Sequence, residues 1–214
     1  MMLLSFTTLR TDSNELSAVG TLGPHGTSSE VAAARFAGRV RDSDGPPAAL
    51  RLFNSYEQAG EALRAREVTH VVVANAYKAI HHFYMDPALE LSNVFVMDTP
   101  LYGIARRRDS GPAPECPTIA SHPSPEPIIA QLLPPGHTTH TVLPSASTSA
   151  AARAAQDGSA DLALTTVPSA ELYGLEFISA TRPIRMVWSV FTADHTHQPT
   201  DRASHETDEE KKGA

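Results

Sequence analysis

Cysteine is nearly absent: Cys116 is the single one in 214 residues. An intrachain disulfide is excluded, and with it the stapled frameworks of small secreted domains. Aromatic residues make up only 6% of the chain. No apolar run approaches the ~18 residues that a membrane-spanning helix needs. The apolar start at residues 1–6 is short and lacks a basic flank, so it does not read as a signal peptide, and a cytoplasmic location is expected. Positive charge is scarce as well. The net charge is −7, of which −3 falls after Phe191 and −4 on the body. With no basic patch interleaved with aromatics, nucleic acid is not an expected partner, and neither is a membrane. Gly20, Gly23 and Gly26 follow a G-x-x-G-x-x-G spacing rather than G-x-G-x-x-G, and no Walker lysine follows them. There is no G-x-S-x-G elbow and no H-E-x-x-H. His81 and His82 are adjacent, so on a helix they diverge, and no metal site is expected.

The chain is long and regularly alternating. Its residues are 41% apolar and 19% charged, enough for one two-lobed domain or two small ones. Residues 1–15 are polar and are expected to fray. An apolar strand at 16–22 runs into a turn built on Gly23, Pro24 and Gly26. Thr27 then caps a helix reaching about Phe36, with Glu30 three places on in a capping box. Residues 39–47 read as a loop. A strand at 50–53 leads to a second box, Ser55 with Gln58, on a helix whose apolar face is Ala59, Ala62 and Leu63. Val71, Val72 and Val73 mark a strand at 68–74 that suits burial on both faces. Segment 75–87 gathers Tyr77, Phe83 and Tyr84. Directly after a buried strand it reads either as a ligand-facing loop or as a helix packed on the sheet. Strands are expected at 94–97 and 102–106.

A proline-rich break at 111–117 separates a second run of the same kind. It comprises a strand at 118–121, a helix capped by Ser124 with Pro125 at its first position, and a strand at 141–143. A helix capped by Ser147 and closed by Gly158 follows, then a strand at 160–165, a short helix from Pro168, and strands at 175–179 and 186–192. From residue 193 the chain is polar, charged and aperiodic, which predicts disorder. The alternation predicts an α/β protein with mainly parallel sheets in two lobes of similar build.

Three helix starts, at Thr27, Ser124 and Ser147, share one design: each follows a strand and sets hydroxyls beside free backbone N–H groups. Aimed into one cleft they make a pocket for a small polyanion; otherwise they are three unrelated capped helices. One such end favours an anion by about 0.3–1 kcal/mol when exposed and up to about 2 kcal/mol when partly buried. Several together hold a dicarboxylate without much arginine.

Residues 23–30, Ser121-His122-Pro123, the Ser147-Thr148 helix start and Tyr173-Gly174-Leu175 are similar to the prephenate dehydratase catalytic domain. The chain resembles more closely the prephenate decarboxylases of bacilysin-type biosynthesis. Residues 26–30, 82–85, 98–103, 121–125 and 188–191 carry this likeness, which spans roughly residues 17–192. It implies a periplasmic-binding-protein-like (type II) α/β fold of two lobes, with prephenate in the cleft between them. The first lobe would hold 16–99 and 175–192, the second 100–174. A monomer and a homodimer are both open. Dehydratases carry Thr-Arg-Phe before a final apolar strand; here Met186 and Val187 stand at the threonine and arginine positions, and Thr181-Arg182-Pro183 lies too early. Phenylalanine feedback through a regulatory domain after Phe191 is not expected.

The activity this implies is decarboxylation of prephenate to a non-aromatic dihydro-4-hydroxyphenylpyruvate, serving an unusual amino acid or antibiotic. The alternatives are an aromatising dehydratase and a non-catalytic carboxylate-binding protein. A dehydratase gives the leaving ring hydroxyl a proton; a decarboxylase must withhold that proton and protonate a ring carbon. Met186 and Val187 would discriminate by removing a donor. Thr27 and Ser28 are expected to hold one carboxylate, with Ser147 and Thr148 holding the other. His82, Tyr84 and His122 are the candidate acids. Asn75, Tyr77, Thr99, Tyr102, Ser121, Ser124 and Trp188 complete the expected substrate-binding set. The diene itself delocalises the electrons, so no metal or organic cofactor is expected.

Overall fold

The computed structural model describes residues 5–8, 18–40, 48–133 and 139–194. Most of the expected frayed start, residues 41–47 of the expected loop and the tail from residue 195 lie outside the described residues, while residues 39–40 continue the first helix. The first lobe is a six-stranded sheet in the order β1-β5-β11-β4-β2-β3. Its strands are β1 (Ser5–Thr8), β2 (Ala18–Leu22), β3 (Ala49–Phe53), β4 (His70–Ala74), β5 (Leu89–Asp98) and β11 (Arg185–Ala193). Helix α1 (Ser28–Val40) follows β2, α2 (Tyr56–Arg64) follows β3, and the single turn α3 (His81–Tyr84) follows β4. The second lobe is a five-stranded sheet in the order β10-β6-β9-β7-β8. It contains β6 (Tyr102–Arg107), β7 (Thr118–Ser121), β8 (Thr141–Pro144), β9 (Leu162–Thr166) and β10 (Leu175–Phe177). Its helices are α4 (Ile129–Leu132), α5 (Thr148–Asp157) and α6 (Val167–Leu172).

Both sheets are mixed rather than mainly parallel. β3, β2 and β4 run parallel, as do β8, β7 and β9; every other pairing is antiparallel. The reason is the return of the chain: β11 comes back from the second lobe and inserts between β4 and β5, opposite in direction to both. The chain also returns later than the sequence suggests, because β10 pairs with β6 in the second sheet before the crossing. Residues 5–8, expected to fray, add an edge strand along β5.

The Val71-Val72-Val73 run is buried on both faces, as its composition requires. Phe36 of α1 stacks near Phe95 on one face, with ring centroids 6.4 Å apart. Phe83 of α3 packs near Phe191 at 5.2 Å. The second lobe uses small residues instead: Ala151, Ala152 and Ala155 of α5 lie close on Ala105, Ala120 and Ala163 of the sheet. Ser55 and Ser147 cap α2 and α5 by accepting the N–H groups of Gln58 and Ala150. Gly158 ends α5 in the left-handed conformation, at φ 83°.

Two crossings join the lobes, residues 98–101 and 178–184, and they run side by side. Thr99 and Ile184 exchange hydrogen bonds: the Thr99 N–H donates to the Ile184 carbonyl at 2.9 Å, and the Ile184 N–H donates to Thr99 Oγ1 at 3.0 Å. Tyr102 and Arg182 pair through both backbone bonds. Arg185 adds a two-pronged contact to Asp98, at 2.8 and 3.1 Å. A third tie is direct: the Gly26 carbonyl, just before α1, accepts from Ser169 Oγ at 2.7 Å and Thr166 Oγ1 at 3.1 Å.

Gly26 is held at φ +85°, and a Cβ there would meet Ser169 at 3.1–3.4 Å. Gly26→Ala is expected to cost about 1–3 kcal/mol, the range for a side chain forced into that conformation. Urea unfolding of the two proteins measures the difference.

Candidate active site

The strand ends of both lobes meet at a cleft of about 420 Å³, inside the roughly 300–1,000 Å³ usual for small-molecule sites. The first turn of α1 enters it from one lobe through Thr27, Ser28 and Ser29. The first turn of α5 enters from the other through Ala146, Ser147 and Thr148. First-turn N–H groups have no partner within their own helix, so the two ends give the cleft a positive potential. At α1 the cap is modified. Thr27 Oγ1 accepts the Glu30 N–H at 3.3 Å, but the Glu30 carboxylate closes on the Gly26 N–H at 2.7 Å rather than on Thr27.

Two tyrosines back the α1 serines. Tyr102 Oη lies 3.3 Å from Ser28 Oγ, and Tyr56 Oη lies 2.8 Å from Ser29 Oγ. Tyr56 also accepts the Ala74 N–H at 3.2 Å. Burial pushes the pKa of both phenols up, so both stay protonated donors. Each serine–tyrosine pair shares one hydrogen between its two oxygens and leaves the other hydrogen for a further acceptor. Tyr77 forms a third wall, donating to Glu57. Burial and the Glu57 carboxylate push its pKa up to about 12, and the same bond lowers that of Glu57.

His122 lines the second-lobe side, half-buried. Its Nδ1 accepts the Ser124 N–H at 3.2 Å, so the neutral ring carries its proton on Nε2. Burial lowers its pKa. The remaining wall is apolar: Leu22, Ala74, Ile184, Met186 and Trp188. Trp188 is 1% exposed, and its indole N–H is a buried donor with no partner among the described residues. Such a group at a cleft wall is available to a ligand.

Of the residues expected from sequence, the cleft brings together Thr27, Ser28, Tyr77, Tyr102, His122, Ser124, Ser147, Thr148, Met186 and Trp188. Ser124 is not a helix cap, however. A 3-10 turn, Glu126–Ile128, precedes α4, and its cap position is Pro125, which offers no side-chain acceptor. His82, Tyr84, Asn75, Thr99, Ser121 and Val187 do not line the cleft. α3 buries Phe83 against Phe191, which turns its neighbours outward. Exposed His82 stacks near His81, with ring centroids 4.1 Å apart. Tyr84 Oη meets Ser189 Oγ at 2.7 Å and accepts from Asn75 Nδ2 at 3.2 Å. That network lies on the opposite face of β11, the face that also carries Val187. Thr99 is spent in the crossing, and Ser121 Oγ bonds the His122 carbonyl at 2.8 Å.

Sequence reasoning missed Ser29, Tyr56, Glu57 and Lys78 as lining residues. Ser29 directly follows Thr27 and Ser28 at the same helix start; Tyr56 and Glu57 follow the Ser55 cap; Lys78 carried no signal.

Two α/β lobes around a cleft of this kind define a type II periplasmic-binding-protein-like fold, shared with prephenate dehydratases. The chain superposes on the prephenate dehydratase of Arthrobacter aurescens, solved with L-Phe, with a TM-score of 0.64 at 16% identity. That match covers 83% of this chain and 60% of the other. The periplasmic VFT2 domain of BvgS from Bordetella pertussis superposes with a TM-score of 0.50 at 18% identity, over 83% and 80% of the two chains. No family model matches. In sequence the chain is 37% identical over 187 residues to a prephenate decarboxylase of Bacillus amyloliquefaciens, covering 86% of this chain and 90% of that one. The chain belongs to the prephenate decarboxylase family.

His122 makes its own contribution to pH dependence. Burial holds its folded pKa below the ordinary histidine range. The resulting stability is fully present above the unfolded value and is lost as pH falls through the folded one. NMR titration should place the His122 midpoint below that of an exposed histidine, and His122→Gln should remove that part of the stability slope in urea melts between about pH 7 and 5.

Proposed function

We propose that the protein decarboxylates prephenate without aromatising its ring, releasing a dihydro-4-hydroxyphenylpyruvate for the synthesis of a non-proteinogenic amino acid or other secondary metabolite. The observation that carries this reading is the 37% identity to a prephenate decarboxylase across nearly the whole of both chains. A cytoplasmic location belongs to the same reading.

In this reading the dianion lies between the α1 and α5 helix starts, one carboxylate near Thr27 and Ser28 and the other near Ser147 and Thr148. The bond between the quaternary ring carbon and its carboxylate breaks. Carbon dioxide leaves, the electron pair shifts into a new ring double bond, and a proton is added to the ring carbon at the far end of the displaced diene. The ring hydroxyl stays in place. We favour a part for His122 in delivering that proton: of the three candidate acids it alone lines the cleft, and its neutral ring presents Nε2–H, which would orient and polarise the water that supplies the proton. His82 and Tyr84 drop back to outer positions. Tyr77, Tyr102 and Ser124 border the substrate, while Asn75, Thr99 and Ser121 support the walls from behind.

The choice of product rests on the β11 wall. Met186 and Trp188 face the cleft, and neither is an acid that could protonate the leaving hydroxyl. Val187 points the other way, so the arginine position of the dehydratase motif is not felt inside this cleft as the threonine position is.

Incubation with prephenate at mildly alkaline pH, following carbon dioxide, ultraviolet absorbance and phenylpyruvate, tests the reading. Carbon dioxide without phenylpyruvate supports it; aromatic product marks a dehydratase; tight binding without turnover marks a receptor. Met186→Thr should raise the phenylpyruvate share, whereas Val187→Arg alone should leave the product ratio unchanged. The reverse pattern would sink the assignment to the β11 cleft face.

A further inference from the structure

Lys78 is the only lysine or arginine among the cleft-lining residues, and Glu57 is the only carboxylate. The two do not pair. Glu57 is taken by the Tyr77 hydroxyl, which lowers its pKa. Lys78 is exposed and forms no hydrogen bond or ion pair among the described residues, although an acid borders the same cleft. The turn that carries it is nevertheless fixed. Tyr77 donates its backbone N–H to Ala74 and its hydroxyl to Glu57, its ring lies 4.8 Å from that of Tyr56, and Ile80 N–H bonds the Tyr77 carbonyl. A free ammonium is thus held on an anchored turn at the edge of a cleft whose other polar groups are neutral, apart from the Glu57 carboxylate already engaged by Tyr77.

We propose that Lys78 is a substrate-binding residue: its ammonium pairs with the side-chain (pyruvyl) carboxylate of the substrate, the one that survives the reaction. This rests on the reading of the cleft as a prephenate site. The assignment to one carboxylate follows from the chemistry. Decarboxylation removes charge from the departing group, so a cation paired with that carboxylate would stabilise the ground state more than the transition state and slow the step. The leaving carboxylate is better placed against dipoles and the apolar Met186–Trp188 wall. The spectator carboxylate gains from a cation without that penalty, and a fixed cation at one end sets which way round the ring enters.

Such a contact is equal in ground and transition states, so its loss appears in binding and not in turnover. Lys78→Met should raise KM for prephenate about 10–100-fold with kcat within about threefold, and Lys78→Arg should recover most of the loss. Phenylpyruvate keeps the pyruvyl carboxylate and lacks the ring one, so it is the probe. Its dissociation constant, measured by titration calorimetry, should weaken in Lys78→Met by a factor similar to that for KM. A variant that loses kcat at unchanged KM, or binds phenylpyruvate as tightly as wild type, overturns the proposal. If wild type releases no carbon dioxide from prephenate, yet Lys78→Met still weakens phenylpyruvate binding, the activity reading fails and the lysine assignment stands. If wild type binds neither compound, both fall.

Discussion

The cleft exists because two chain crossings are bound to each other. Thr99 with Ile184, and Tyr102 with Arg182, form a short antiparallel ribbon between the lobes. This ribbon sets the distance between sheets and delivers β11 into the first sheet between β4 and β5. With both sheets fixed, the helices that follow parallel strands begin at facing edges, where α/β proteins place their ligands. α1 and α5 are thereby brought start to start, and neither alone would make more than a weak anion site.

The electrostatic character of the site follows from its materials. Positive potential comes from helix ends and from hydroxyls backed by buried tyrosines, with little formal charge. Such donors are aimed in advance by packing: Tyr56 is held by the Ala74 N–H and Ser29, Tyr102 by its place on β6. Beside them Met186 and Trp188 give one side of the cleft a largely apolar wall, which lowers the local dielectric for the polar contacts opposite it.

Local rules made much of this visible in the chain. The side-chain caps at Thr27 and Ser55, the Ser147 cap and the Gly158 stop are determined by neighbours three or four residues away, and the triple valine announces its own burial. What stayed hidden depends on distant partners. Strand direction in the sheets was misjudged because alternation alone cannot tell that β11 returns from another lobe. The 75–87 segment was legible as important, but its division of labour was not: Tyr77 and Lys78 border the cleft, while the one-turn helix spends Phe83 on the core and takes His82 and Tyr84 away with it. Ser124 follows the statistics of helix starts, but a 3-10 turn opens there one residue later, with Pro125 at the cap position. The even–odd split of β11, with Met186 in and Val187 out, is simple strand geometry, but it needs the register to be known.

The clasp at the Gly26 carbonyl has a consequence for how a solute gets in. It consists of two neutral hydroxyl bonds, from Ser169 and Thr166, each worth about 0.5–1.5 kcal/mol net of water. Water can replace both partners for that modest cost, since no desolvated ion is uncovered when they separate. This direct tie between the lobes is therefore light, while the crossings are fastened by continuous backbone. Separating this contact lies within ordinary thermal reach, whereas the paired crossings keep the two sheets in register.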